Sequence, residues 1–335
     1  MKKNNNYAGR GNAGRNGFAS VGLLLAGIAL AGTLNAESLQ GFKALVADSQ
    51  TTVYSLEPQT DERAIVAQGG NLDFNVLVAD SQATVYSVDP RTGERTIVAQ
   101  GGYLDRPYDL ALKSDGTIVV SDTATLRIVG VNPATGEQTV LAEGGALGVP
   151  FGIGVDQKNR IYVANSSSVL RVDPKSGRIE TVATGGLLQV PLDVAAAPNG
   201  NLYVADAVAG IVRIDAATGK QTVIASGYML HTPVGIALDG NHSAYVADAS
   251  GKCIVAVDLR DGSQQLVSMA GWLTTPVGIA VGPGGTLLVS DPDAFDLDGG
   301  VMSISPDGTQ SPITRGFGDL VNARGIVIVP ASKPN

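Results

Sequence analysis

The phrase Val-Ala-Asp, or a near variant of it, ends at Asp48, Asp80, Asp122, Asn165, Asp206, Asp248 and Asp291, at intervals of 32, 42, 43, 41, 42 and 43 residues. A period of this length constrains a fold tightly, because each copy is one supersecondary unit that must stack on its neighbours to bury its apolar face. Around each landmark the pattern is fuller. A leucine, two variable residues and a proline precede an apolar strand; then come a Gly or Asp turn, a second strand ending on the acid, a third strand, a turn such as DPRTG, and a fourth strand. The stretch PVGIAVGPGGTLLVSD, Pro276 to Asp291, shows the first half. Alternation of apolar and polar residues between Asn-Gly, Asp-Gly, Gly-Gly and Thr-Gly signals reads as half-buried antiparallel strands in hairpins. Four strands in about 42 residues make one blade of an all-β propeller. Solenoid rungs would be shorter or helical, and a sandwich would not repeat so strictly.

The Leu-x-x-Pro lead into an inner strand occurs at Leu104/Pro107, Leu147/Pro150, Leu188/Pro191, Leu230/Pro233 and Leu273/Pro276, with Leu320/Ala323 as an imperfect sixth copy. There are thus seven outer three-strand sets and six inner strands. The final ARGIVIVP, residues 323–330, is an inner strand with nothing after it, so it must pair with an N-terminal set and close the ring. The surplus has a visible origin: Leu45 to Gly70 and Leu77 to Gly102 match at 20 of 26 positions, with no inner strand between them. A tandem duplication of 32 residues predicts a six-bladed β-propeller of four-stranded antiparallel blades over 71–335, with 37–70 as a duplicated three-strand unit. The alternative is a seven-bladed ring in which one blade lacks its inner strand. An appended sheet leaves a strand edge open to sideways docking or to a dimer partner.

The units TPVGIALDGNHSAYVADASGKCIVAVD, Thr232 to Asp258, and VPFGIGVDQKNRIYVANSSSVLRVDPKSG, Val149 to Gly177, resemble those of the NHL-repeat propellers. The resemblance covers nearly all of the chain after its N-terminal segment and implies the propeller fold. It does not imply one function, since propellers of this kind serve lactonases, lyases and binding modules. The similar calcium-dependent gluconolactonases hold their metal with a Glu, an Asn and an Asp facing the central channel, the latter two just after the inner-strand proline. The matching positions here are Tyr108, Phe151, Leu192, Val234, Val277 and Arg324, which lack metal-binding carboxylates or amides. The similar streptogramin lyases carry Trp-x-Thr-Glu strands, replaced here by strands such as YVAD. Neither motif is present.

The N-terminus has a basic start with Lys2, Lys3, Arg10 and Arg15, an apolar run from about Val21 to Leu34, and small residues before Glu37. That layout predicts a Sec-type signal peptide over 1–36 and a periplasmic or extracellular mature protein with no membrane span. Losing four basic groups and no acidic one takes the formal charge from −8 to −12. Such a surface disfavours nucleic acid. The single cysteine, Cys253 in CIVAVD, has no disulfide partner and reads as a core residue.

Strand direction sorts the loops. Those leading into inner strands share one face with the turns between second and third strands; the remaining hairpins lie on the other. His231 falls on the lead-in face and His242 on the opposite one, and they are the only histidines. A three-histidine zinc site is excluded, and a Ser-His-Asp triad has no flagged partners. The repeated acids are expected to accept hydrogen bonds from the amides of the following turn. Against this constant frame, the varied lead-in residues Tyr103, Arg106, Tyr108, Phe151, Met229, His231, Trp272 and Arg324 form the expected ligand site, with His231 and Arg324 as the chemical groups if the protein is an enzyme. The loop DPDAFDLDGG, Asp291 to Gly300, adds Asp293, Asp296 and Asp298 as candidate ligands of a rim calcium ion, alongside the reading of a solvated acidic loop. The expected function is a binding or scaffold module for a protein, peptide or glycan; the alternative is a lactonase-like hydrolase or lyase. No cofactor other than calcium is suggested.

Overall fold

The computed structural model describes strands at 44–47, 52–56 and 63–68, and residues 74–240, 242–315 and 322–330 throughout. The predicted signal peptide, 1–36, lies outside the described residues. The chain divides into two compact units at Gly70/Asn71. In the first, Ala44–Ala47, Thr52–Leu56 and Arg63–Gln68 form a three-stranded antiparallel sheet. In the second, six four-stranded antiparallel sheets form the blades of a propeller.

The first blade is closed by the last strand. Ala323–Pro330 pairs antiparallel with Phe74–Asp80, which continues into Thr84–Val88 and Arg95–Gln100. The second to sixth blades follow in chain order, with inner strands Pro107–Leu112, Pro150–Val155, Pro191–Ala196, Pro233–Asp239 and Gly278–Val281. This closure gives the first blade the inner strand that the other five already have. Among the described residues no helix is long and apolar enough to cross a membrane.

The core explains the sequence pattern. Each of six buried apolar clusters joins two adjacent blades: Phe74, Val76 and Val78 of the first meet Ala280, Leu288 and Val301 of the sixth, and the other five pairs follow around the ring. A blade in the ring is therefore covered on both faces. That is why second strands such as Ile118–Asp122 and Ile161–Asn165 are buried at every position and read as apolar runs. Cys253 belongs to the cluster between the fourth and fifth blades, where burial pushes its thiol up to about 11.

The repeated acid does what its position predicts. Asp122 Oδ2 accepts the amides of Asp105 and Arg106 at 2.8 and 2.9 Å, and its Oδ1 those of Ala124 and Thr125 at 3.1 and 2.8 Å. One carboxylate thus holds both the lead-in loop and the following turn. Asp206, Asp248 and Asp291 repeat the arrangement. A second clamp comes from glutamines that begin fourth strands. Gln138, Gln221, Gln264 and Gln310 each accept a lead-in amide and donate to a carbonyl of the same loop.

Candidate functional site

The inner strands surround a central cavity of about 230 Å³. Tyr108, Leu192, Val234 and Val277 line it, as their place after the inner-strand proline suggests. Five inner strands have a register shift at this point: Pro107/Asp109, Pro150/Ile153, Pro191/Asp193, Pro233/Gly235 and Ala323/Ile326. A bulge gives an extra residue to one strand and breaks the simple alternation of sides. The next residue along therefore also reaches the cavity. At that position the six inner strands carry Asp109, Gly152, Asp193, Gly235, Gly278 and Gly325.

The two aspartates form the most perturbed group in the described molecule. Asp109 Oδ2 accepts the Ile153 amide of the next blade at 2.8 Å, and Asp193 Oδ2 accepts the Ile236 amide of its own next blade at 2.8 Å. Their carboxyl groups also act on each other, so that a proton on Asp109 relieves the repulsion between two buried charges. Burial and the charge of Asp193 push Asp109 well above the usual carboxylate range. Burial pushes Asp193 up as well, against the pull of the Ile236 and Val194 amides. Gly152 stands between them because any side chain there would overlap the backbone and carboxylate of Asp193; Gly325 makes the same room beside Asp109.

Of the residues expected to form the site, three come together at the channel mouth. Tyr108 and Phe151 meet edge to face at 5.3 Å between centroids, and the Arg324 guanidinium lies 5.9 Å from the Tyr108 ring. Burial pushes the Tyr108 hydroxyl up to about 12. The others are not gathered there. Tyr103 is exposed and carries the Arg127 guanidinium over its ring at 5.5 Å. Arg106 is exposed. Met229 packs on the core between the fourth and fifth blades. The exposed His231 ring contacts the Met229 carbonyl at 3.2 Å, and no described hydrogen bond or ion pair joins it to Arg324. Trp272 packs against Phe295 with the rings tilted at 52° and 5.4 Å between centroids.

That contact shapes the acidic loop. Phe295 is buried while Asp296 is exposed, and Phe295, Asp296 and Leu297 all take positive φ. Among the described residues no three His, Cys, Asp or Glu side chains converge as a metal ion requires, and Asp293, Asp296 and Asp298 are not gathered. The channel does not fit calcium either. Its only carboxylates are Asp109 and Asp193, and they are engaged with two amides and with each other, far short of six to eight oxygen ligands.

The loops at the lead-in end have a feature that no motif announced. Eleven large apolar side chains are exposed among the described residues; Ile97, Val223 and Leu266 lie within fourth strands, and Met269 ends one, next to the lead-in loop. Met269 and the remaining seven, among them Val149, Val190 and Val208, sit at the lead-in end of the blades. Leu126, Tyr228 and Leu297 among them are 40%, 79% and 71% exposed with φ of 55°, 55° and 74°. The left-handed region is strained for bulky residues. The described loops at the opposite end hold none of the eleven.

A family described as SMP-30/Gluconolactonase/LRE-like region matches residues 109–311. Among solved structures, a chain from the crystal structure of a nidogen/laminin complex is similar with a TM-score of 0.67 at 16% identity, covering 78% of this chain and 100% of that one. At that identity the likeness shows the fold alone. No curated protein matches the chain by sequence.

Proposed function

The chain belongs to the SMP-30/gluconolactonase/LRE-like family, and from that premise we propose that this member is a binding module that docks a protein through the lead-in end of its blades. The observation that carries this reading is the segregation of exposed apolar side chains to one end, three of them held in strained backbone. Soluble surfaces rarely concentrate such groups without a partner to cover them, and strain of about 1–3 kcal/mol per residue persists where function requires it. The side chains are mainly aliphatic and spread over several blades, which suits an extended protein surface better than a glycan. Asp105, Asp293, Asp296 and Asp298 at the same end favour a partner with basic residues beside its apolar patch. The structural neighbour was solved as a complex of proteins, a use of the fold compatible with this one.

A second reading rests on the Asp109–Asp193 pair. Two buried carboxyl groups with raised pKa values are an acid–base pair in principle, and a lactonase-like hydrolase would place them, rather than His231 or Arg324, at the reacting bond. The central cavity of about 230 Å³ is below the usual range of about 300–1,000 Å³ for small-molecule sites, which favours binding at the rim. Lactone and aryl-ester turnover, with and without calcium, separates the readings. The binding account expects no turnover that Asp109→Asn abolishes. It also expects a discrete protein captured from source-cell extract and medium by the wild type to be lost with Tyr228→Asp/Leu297→Asp. Turnover abolished by Asp109→Asn, with capture unchanged in the double variant, would replace binding by catalysis.

A further inference from the structure

At the opposite end, between the second and third blades, lies an open cavity of about 650 Å³. Lys113, Lys158, Arg160, Arg171, Lys175 and Arg178 line it, against the three acids Asp115, Asp173 and Glu180. Six cations facing these three anions and Asp156, which pairs with Arg160, leave a local excess of two positive charges in a chain whose formal charge is −8. The corresponding turns of the fourth and sixth blades, 197–200 and 282–286, carry no lysine or arginine. The bases of the first-to-second hairpins, Lys113, Lys158 and Arg160, are therefore additions to the repeating frame, whereas Arg171 and Arg178 have basic counterparts in Arg213 and Lys220 of the fourth blade.

The partners within the cavity do not neutralise it. Lys113 pairs with Asp115 at 2.8 Å, and Arg160 with Asp156 at 2.6 Å. Glu180 serves both Arg171 and Arg178. The Asp173 carboxylate accepts the amides of Lys175 and Ser176, which hold it below its ordinary range. Lys158 and Lys175 make no ion pair among the described residues. The walls are also fixed in place. Ser114 donates its amide to Asn159 Oδ1 at 2.8 Å, and Asn159 Nδ2 donates to Ser114 Oγ at 2.8 Å, so the two blades' turns are tied reciprocally. Asn159 holds this position at φ 60° and is the one described non-glycine residue of positive φ at this end.

We propose that this cavity is a binding site for a small ligand bearing phosphate or sulfate groups. Guanidinium forks match tetrahedral oxyanions in geometry, and the two unpaired lysines supply point charges on flexible stems. The volume lies in the range of about 300–1,000 Å³ that holds small ligands. A long polyanion would meet the acidic remainder of the surface, so the ligand is compact. The site is at the other end of the blades from the protein-docking surface and does not depend on it.

Calorimetric titration of the purified protein with inorganic pyrophosphate tests this directly. The comparison is with Lys158→Ala/Lys175→Ala, which leaves no acid without its partner, and with Lys252→Ala at the lead-in end. The expected result is one pyrophosphate per chain, weakened by rising salt, with Kd at least tenfold higher in the double variant and unchanged in Lys252→Ala. Equal Tm values establish that the double variant is folded. Sulfate at matched ionic strength displaces pyrophosphate if sulfate esters share the site, and fails to if the ligand is a phosphate. The absence of pyrophosphate binding at low salt, or an unchanged Kd in the folded double variant, overturns the proposal.

Discussion

At the scale of single residues, two kinds of buried aspartate carry opposite consequences. Asp122 holds four amides, so Asp122→Ala leaves donors without partners at a cost of about 1–3 kcal/mol for a buried group. We expect a Tm lower by at least about 2 °C, taking about 2–4 °C per kcal/mol for a domain of this size; thermal unfolding checks it. Asp109 and Asp193 instead resist ionisation, because both are raised in the folded protein. A raised carboxylate pKa means that the folded state binds protons more tightly than the unfolded one. Its contribution to stability is complete below the ordinary carboxylate range and is lost as pH rises through the folded value, about 6 for Asp193, with Asp109 likewise raised by its burial. Asn at position 109 can still accept from Ile153 without ionising. Asp109→Asn should therefore reduce the fall in Tm between pH 5 and pH 8, measured by unfolding across that range. Some slope should remain from Asp80 and Asp291, which burial also raises. An unchanged slope would remove the proton on Asp109 from the account.

At the scale of the elements, the blade was legible because one alternating pattern recurs with turn signals at matched places. The closing strand 323–330 was legible because it repeats the inner-strand pattern while the set beginning at Leu77 has no inner strand before it. The channel pair was not legible from the residue after each proline, since the bulge sends the following residue inward too. The signal that could have found it is the aligned column of four glycines and two aspartates. Gly152→Ala tests that column: its Cβ would overlap the Asp193 backbone, and a clash against backbone costs more than the strain of alanine at positive φ. Gly144→Ala, at φ 68° with open space around it, should cost about 1–2 kcal/mol. Urea unfolding should rank Gly152→Ala as clearly the less stable of the two. The acidic loop was placed at the right end of its blade, but its composition did not reveal that Phe295 turns inward onto Trp272. That apolar anchor leads us to expect the same Tm with excess calcium and with EDTA. A calcium-dependent rise would show a native-state metal site.

At the scale of the whole molecule, the ring gives its two ends different surfaces. Overall net charge concealed this, because a total of −8 averages an apolar lead-in end with a basic cavity between the second and third blades. Bases distant in sequence become neighbours only when adjacent blades stack. The exposed Leu126, Tyr228 and Leu297 were likewise hidden, since nothing in a single turn shows which way a side chain points. Their shared placement underlies the central claim that the lead-in end docks a protein. The most direct test puts a photoreactive phenylalanine analogue at Tyr228 or, in a separate protein, at Ala217 in an opposite-end hairpin, and illuminates each in source-cell extract and medium. The account predicts a discrete covalent adduct with one protein from position 228 and none with that protein from position 217. Absence of an adduct at 228, or the same adducts from both positions, would contradict it.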